Sequence, residues 1–306
     1  MKKSQTSLID TFKRQSVLQM MTLPGIVFLL IFCYIPMFGI IIAFKDYNIV
    51  KGFVESPWVG FEHFVQLFAD YRFFMALKNT VVLSIFAIIF GFPAPLIFAL
   101  ILSEVPFARF KKITQTCSYL PHFISYVVVA TMWILFLDSR GIVNKIIVQI
   151  GLVEEPIIFL GEPSLFAIIA TIIGIWKGVG FSAIIYLAAL SGVNPELYEA
   201  AIIDGASRIK KIVHITLPSL KGLFFVLAIL SLGGLFRGSL DQSYLLGNVF
   251  NREVSYVIEH YTLDTGLSLS RYSYATAINF VQSVLSVLVV FSANWLSGKF
   301  SGEKIF

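Results

Sequence analysis

The sequence predicts an all-α integral membrane protein with six membrane-crossing helices. Apolar residues fill 57% of the 306 positions, charged residues only 13%, and Phe alone occurs 30 times, a balance far from that of a soluble domain. Six apolar runs are each near or above the length that crosses bilayer hydrocarbon. Between the fourth and fifth runs stands a charged, glycine-punctuated stretch, Glu199-Ala200-Ala201-Ile202-Ile203-Asp204-Gly205-Ala206, followed by Arg208, Lys210 and Lys211. Folded in water, such a chain would expose far too much apolar surface. The formal charge of +5 does not point to nucleic acid, because the basic residues lie in small scattered groups rather than one dense patch.

The first run, Leu23 to Phe44, follows Lys2, Lys3, Lys13 and Arg14. It starts too late for a secretion signal and ends in Phe44-Lys45-Asp46-Tyr47 without a small-residue cleavage pattern, so it reads as a retained helix. Further runs follow at Thr80 to Leu102, His122 to Leu137, Leu165 to Leu190, Leu220 to Phe236 and Tyr274 to Leu296. In the second, Gly91, Pro93 and Pro95 should bend or break the helix, which a membrane tolerates only where protein or a cavity satisfies the freed backbone. Segments 45–79 and 138–164 read as short interfacial helices and turns, too small for an independent binding domain.

Six spans put both termini on one side. With that side cytoplasmic, the inner segments hold Lys2, Lys3, Lys13 and Arg14, then Arg109, Lys111 and Lys112, then Arg208, Lys210, Lys211 and Lys221, and finally Lys299 and Lys304. The opposite side carries basic residues spread over longer segments, so the bias favours an inside N terminus modestly. Lys177 falls within the fourth run, where a lysine either snorkels or faces protein. Cys33 and Cys117 read as lying at different depths, and with four scattered histidines they form no metal pattern.

From Asn194 to Pro218 the chain reads as two short helices around a turn. Asn194 can cap the first, Pro195 suits its first position, and Glu196 sets negative charge at its amide end. Glu199 lies within that helix, and Gly205 permits a sharp reversal. Asp204 and Ser207 can bond exposed backbone at the turn. Arg208, Lys210 and Lys211 open a second helix, which Leu217-Pro218 should end. The residues alone fit either an ordinary loop between spans or a docking element. The small residues Ala200, Ala201, Gly205 and Ala206 between charges suit a protrusion that enters a partner's groove.

This stretch resembles the coupling motif of transmembrane permease subunits of ATP-binding-cassette importers with the maltose-permease fold, in the oligosaccharide and polysaccharide branch. That motif runs Glu-Ala-Ala, three residues, Gly, nine residues, Ile-x-Leu-Pro. Glu199-Ala200-Ala201, Gly205, Ile215, Leu217 and Pro218 match it, with Ile212 at a position that is commonly aromatic. Leu23-Pro24-Gly25, Phe73 through Asn79-Thr80, Tyr119 to Ser125, Tyr244 to Asn248 and Tyr272 to Ala277 extend the resemblance over nearly the whole chain.

The resemblance implies a cytoplasmic coupling helix between spans 4 and 5 and both termini in the cytoplasm of a multi-pass cell-membrane protein. It divides the chain into a cytoplasmic segment 1–22, a first span with external segment 23–79, a transport core of five spans 80–296 that contains the coupling loop 194–218, and a cytoplasmic tail 297–306. It implies as partners a second homologous permease, two cytoplasmic ATPase subunits and an extracytoplasmic solute-binding lipoprotein. Glu199 would make a stabilising contact with the ATPase and Arg208 a secondary one. ATP and Mg would bind the ATPases and not this chain, which lacks a phosphate-binding Gly-Lys-Ser/Thr loop.

A sugar needs hydrogen-bonding groups and flat apolar surfaces in a protected cavity. Candidate pathway residues are Trp176, Lys177 and Tyr186 in the fourth span, and Tyr274, Asn279, Gln282 and Ser286 in the sixth, where the last three share a face by helical spacing. Helix–helix contact is the competing role, since polar residues also hold spans together in lipid. The spans assigned here carry no Asp or Glu for an ion pathway, and no cluster of carboxylates or histidines suits an enzyme. A permease for another small solute, or a membrane assembly or signalling subunit, stays open.

Overall fold

The computed structural model describes residues 15–237 and 239–300. The basic residues Lys2, Lys3, Lys13, Arg14 and Lys304 lie outside the described residues. Six helical segments are long and apolar enough to cross a membrane: span 1, Ser16–Phe44; span 2, Tyr71–Ser103; span 3, Tyr126–Gln149; span 4, Pro163–Ser191; span 5, Arg208–Gly233; and span 6, Tyr272–Lys299. Helices are what such runs must form, because lipid offers no partner to an unbonded backbone amide or carbonyl.

Prolines punctuate these helices without ending them. In spans 1, 2 and 5 a five-residue π-helical turn, Leu30–Tyr34, Ala87–Gly91 and Ile212–Thr216, stands just ahead of Pro36, Pro93 and Pro218. The residue before each proline donates five residues back, Ile35 to Leu30, Phe92 to Ala87 and Leu217 to Ile212. Widening the turn relieves the crowding between a proline ring and the carbonyl four residues earlier while keeping the chain helical. The break expected near Gly91 is therefore a π-turn within one helix. The end expected at Leu217-Pro218 does not occur either, and span 5 begins at Arg208 rather than Leu220.

The third run corrects the sequence reading in the opposite direction. His122 and Phe123 end a separate helix, Ala108–Phe123, and the chain turns extended at Ile124 and Ser125 before Tyr126–Leu137 begins. That helix has 12 residues, roughly 18 Å of rise against about 30 Å of hydrocarbon. It reaches membrane length only by continuing through a turn into Ile142–Gln149. Pro121 has already removed one amide from the last turn before the break.

Span 4 is the central element. It packs against the second half of span 2 and against helix Ala108–Phe123, while span 6 packs on span 5 and on the end of span 1. Leu96, Ala99, Ala183, Tyr186 and Leu220 form one buried cluster where spans 2, 4 and 5 meet. A Cβ on Gly180 would stand 2.2 Å from the Ser118 carbonyl oxygen, so only glycine lets the two backbones approach this closely, the small-residue packing that lipid-embedded helices rely on. Span 1 buries only Ala43; its large apolar side chains face outward as far as Ile40, and Phe44 packs on Phe64 and Phe280.

The segment after span 5 folds over the start of span 2. Asn79 donates to the carbonyls of Glu253 and Tyr256 at 2.7 and 3.0 Å, and Thr80 Oγ1 accepts from the Ile258 amide at 2.9 Å.

Candidate functional site

Two features stand out: a cavity among the spans, and a helical elbow between spans 4 and 5. In the elbow, Asn194 accepts from the Glu196 amide at 3.0 Å and caps helix Pro195–Ile203. That helix ends in a Schellman turn, with the Gly205 amide donating to Ile202 and the Ala206 amide to Ala201. Gly205 stands at φ +72°, the left-handed geometry this turn requires of its glycine. Ser207 then caps span 5 through the Lys210 amide.

Glu199, Ala200, Asp204, Gly205, Arg208 and Pro218 are exposed, and Ala201 and Ala206 half-buried. The tip also presents Ile203 and Ile209, 86% and 73% exposed. Charge around protruding isoleucines suits insertion into a protein groove better than contact with water.

One contact ties the elbow to span 5. The hydroxyls of Tyr198 and buried Thr216 lie 2.9 Å apart, so helix Pro195–Ile203 and the π-turn of span 5 brace each other. Sequence reasoning missed this pair. Its signal is Tyr198 beside Glu199-Ala200-Ala201 and Thr216 inside Ile215-Thr216-Leu217-Pro218.

The cavity, about 520 Å³, is walled by spans 2, 4 and 5 and by the turn that leads from span 5 to helix Leu240–Leu246. Its apolar wall includes Leu83, Ile88, Phe92 and Leu227, and its hydroxyls come from Ser84, Thr171, Ser182, Tyr186, Ser231, Ser239 and Ser243, with Gln242 and Arg237 beside them. The Tyr186 hydroxyl is buried and has no hydrogen-bond partner among the described residues.

The predicted pathway residues do not converge here. Tyr186 lines the cavity. Trp176 lies in a neighbouring cluster and meets Trp133 edge to face at 5.9 Å. Lys177 Nζ donates to the carbonyls of Pro121, His122 and Ile124 at 3.2, 2.8 and 2.7 Å. Gln282, buried, donates to the Phe236 carbonyl at 2.6 Å. Asn279 is exposed in a second groove with Tyr47, Glu259 and Tyr272. Ser286 is half-buried and lines neither cavity.

Tyr274 belongs to a buried polar cluster at the start of span 6. Its hydroxyl lies 3.0 Å from that of Tyr261, and both donate to Asp70, at 3.3 and 2.6 Å. Burial opposes ionisation of Asp70, but the two phenols, the Arg72 amide and the Arg72 charge outweigh it and hold the carboxyl below its ordinary pKa. Nearby, burial pushes the Glu259 carboxyl up, although it accepts from the Leu240 amide at 3.1 Å.

Six helices long and apolar enough to cross a membrane, with a hydroxyl-lined cavity among them and an elbow between the fourth and fifth, make a multi-pass membrane fold. The chain belongs to the family described as the binding-protein-dependent transport system inner membrane component, which matches residues 96–302. It is 40% identical over 306 residues to the polygalacturonan/rhamnogalacturonan transport system permease protein YteP of Bacillus subtilis (strain 168), covering 100% of this chain and 95% of that one. Protein LplB of the same organism is 40% identical over 301 residues, covering 98% and 94%. A crystal structure of a bacterial ABC transporter involved in the import of the acidic polysaccharide alginate superposes with a TM-score of 0.85 at 40% identity, covering 96% of this chain and 99% of that one. The protein is thus a non-catalytic permease subunit of an ABC importer.

Proposed function

We propose that this chain and a second homologous permease together form the pathway for an oligosaccharide across the cytoplasmic membrane, with both termini of this chain in the cytoplasm. Two cytoplasmic ATPases, which bind ATP and Mg, drive the cycle, and an extracytoplasmic lipoprotein delivers the sugar. The carrying observation is likeness over almost the full chain to an alginate importer and to YteP. The cavity suits the substrate, because its hydroxyls and amide can exchange hydrogen bonds with sugar hydroxyls while its apolar wall excludes water.

In this reading the elbow seats in an ATPase groove by its exposed isoleucines, with Glu199 and Arg208 contacting the groove rim. Ala200, Ala201, Asp204, Gly205 and Ala206 form the compact tip. Closure of the ATPases pulls the elbow, and the Tyr198–Thr216 contact passes the movement into span 5, where Pro218 follows the π-turn. Rocking of spans 4 and 5 then opens the cavity to one side or the other. Tyr186 lines the pathway directly. Trp176, Lys177, Tyr274, Asn279, Gln282 and Ser286, which do not line this cavity, serve the pathway from outside it.

The test is ATP-dependent sugar uptake by the reconstituted complex, wild type against Gly205→Asp, with assembly confirmed. Aspartate at φ +72° costs about 1 kcal/mol and sets a charged side chain at the tip. Lost uptake in an assembled variant supports the reading; undiminished uptake removes the elbow as the coupling element.

A further inference from the structure

Among the described residues lining the cavity, Arg237 is the only Lys, Arg, Asp, Glu or His. It sits on the turn between span 5 and helix Leu240–Leu246, and that turn is anchored on both flanks. Gln282 holds the Phe236 carbonyl at 2.6 Å, Glu259 holds the Leu240 amide at 3.1 Å, and the Arg237 amide closes the turn onto Gly234 at 2.8 Å. Arg237 is exposed, and no carboxylate of the described residues forms an ion pair with it within 4.0 Å, although Glu259 is near enough for its carboxyl to feel the arginine's charge. Ser231, Ser239, Gln242 and Ser243 line the same cavity.

As the one cation among the described residues lining the cavity, Arg237 favours anions over cations there, and low-dielectric walls strengthen its field. The guanidinium presents paired N–H donors in a plane that matches a carboxylate, while the neighbouring hydroxyls and amide are placed for sugar hydroxyls. Resting on the oligosaccharide-importer reading, we propose that the solute is an acidic, uronate-containing oligosaccharide and that Arg237 is the residue of this chain that binds its carboxylate. The anchoring bonds from Gln282 and Glu259 make those two positioning residues for Arg237.

The test uses the reconstituted complex with its partner permease, ATPases and binding protein. The probes are trigalacturonate and the same trisaccharide with its carboxyls reduced to alcohols, each preloaded on the binding protein. Wild type should favour the acid, and Arg237→Gln should lower the acid-to-neutral uptake ratio about tenfold, the loss of one charge-assisted hydrogen bond. Arg237→Lys should fall between them, since it keeps charge without the fork, and it carries the test if the Gln variant does not assemble. A merely structural role lowers both probes together, so an unchanged ratio in the assembled variants overturns the proposal. Wild-type preference for the reduced probe overturns it too while leaving the importer reading intact, and wild-type uptake of neither probe, when other oligosaccharides are taken up, overturns the uronate assignment and the role of Arg237 with it.

Discussion

Lys177 Nζ donates to the Ile124 carbonyl at 2.7 Å, and through this contact span 4 holds the point where the chain breaks before span 3. The same ammonium binds the carbonyls of Pro121 and His122, so it caps the open C-terminal end of helix Ala108–Phe123. The ring of Tyr126 lies beneath it at 5.3 Å, and His122 stacks on Phe181 of span 4 at 3.9 Å. A cation at a helix C terminus is favourable through the helix dipole, and here it bonds the carbonyls around the break, sharing that of Pro121 with the Ile124 amide.

Lys177→Met keeps the length of the stem and removes all three donors. It should destabilise the complex by about 2–3 kcal/mol, read as a lower thermal unfolding midpoint with reduced uptake. An unchanged midpoint would show that the break stands without the cap.

Gly180→Ala should be far more damaging than its size suggests, because the new methyl would overlap the Ser118 carbonyl at 2.2 Å. Overpacking of this kind costs about 1–3 kcal/mol. Gly25→Ala in span 1, where nothing lies within 4 Å, is the matched control. Equal yields of folded protein for the two would contradict the close approach.

Tyr198→Phe and Thr216→Val each remove one hydroxyl of the elbow brace. Each should cost about 1 kcal/mol of local stability and lower the sugar moved per ATP hydrolysed while the complex still assembles. Uptake and ATPase rates measured on the same proteoliposomes check this. A fall in both rates in proportion would assign the pair to assembly rather than to transmission.

Asp70 gives the pH dependence a sign. Its folded pKa lies below the unfolded value, so its contribution is complete above about pH 3.9 and is lost as pH falls through the folded pKa. Asp70→Asn should have a lower midpoint than wild type at pH 7, and the difference should shrink toward pH 3. A gap of constant size across that range would mean that the carboxylate's charge does not hold Tyr261 and Tyr274.

His260 acts in a higher window. Burial lowers its pKa, against the pull of Asp264 at 3.8 Å, so the neutral ring is the folded form. Stability from this group is complete above about pH 6.5 and is lost as pH falls below it. His260→Gln should flatten the midpoint between pH 7 and 5, and an unaltered slope would remove His260 as its source.

Much of the architecture was legible because it follows from solvent. Spans 1, 4 and 6 lie close to where hydropathy set them, and the caps at Asn194 and Ser207 and the reversal at Gly205 follow from short-range backbone chemistry. Proline misled, since a π-turn let spans 2 and 5 continue through Pro93 and Pro218. The pathway residues were less legible for a different reason. Helical spacing put Asn279, Gln282 and Ser286 on one side of span 6, but spacing does not say which helix faces that side.

Hydropathy and short motifs sufficed for the membrane class, the count of spans, the elbow and the resemblance to importer permeases. Those properties reside in hydropathy and local motifs, which act over neighbouring residues. The tertiary structure alone decided that Lys177 caps a helix broken 53 residues earlier, that Gln282 anchors the turn carrying Arg237, and that Tyr186 rather than Trp176 meets the cavity. The reason is physical: in lipid every polar group must find a partner, and packing between distant helices fixes which partner it finds.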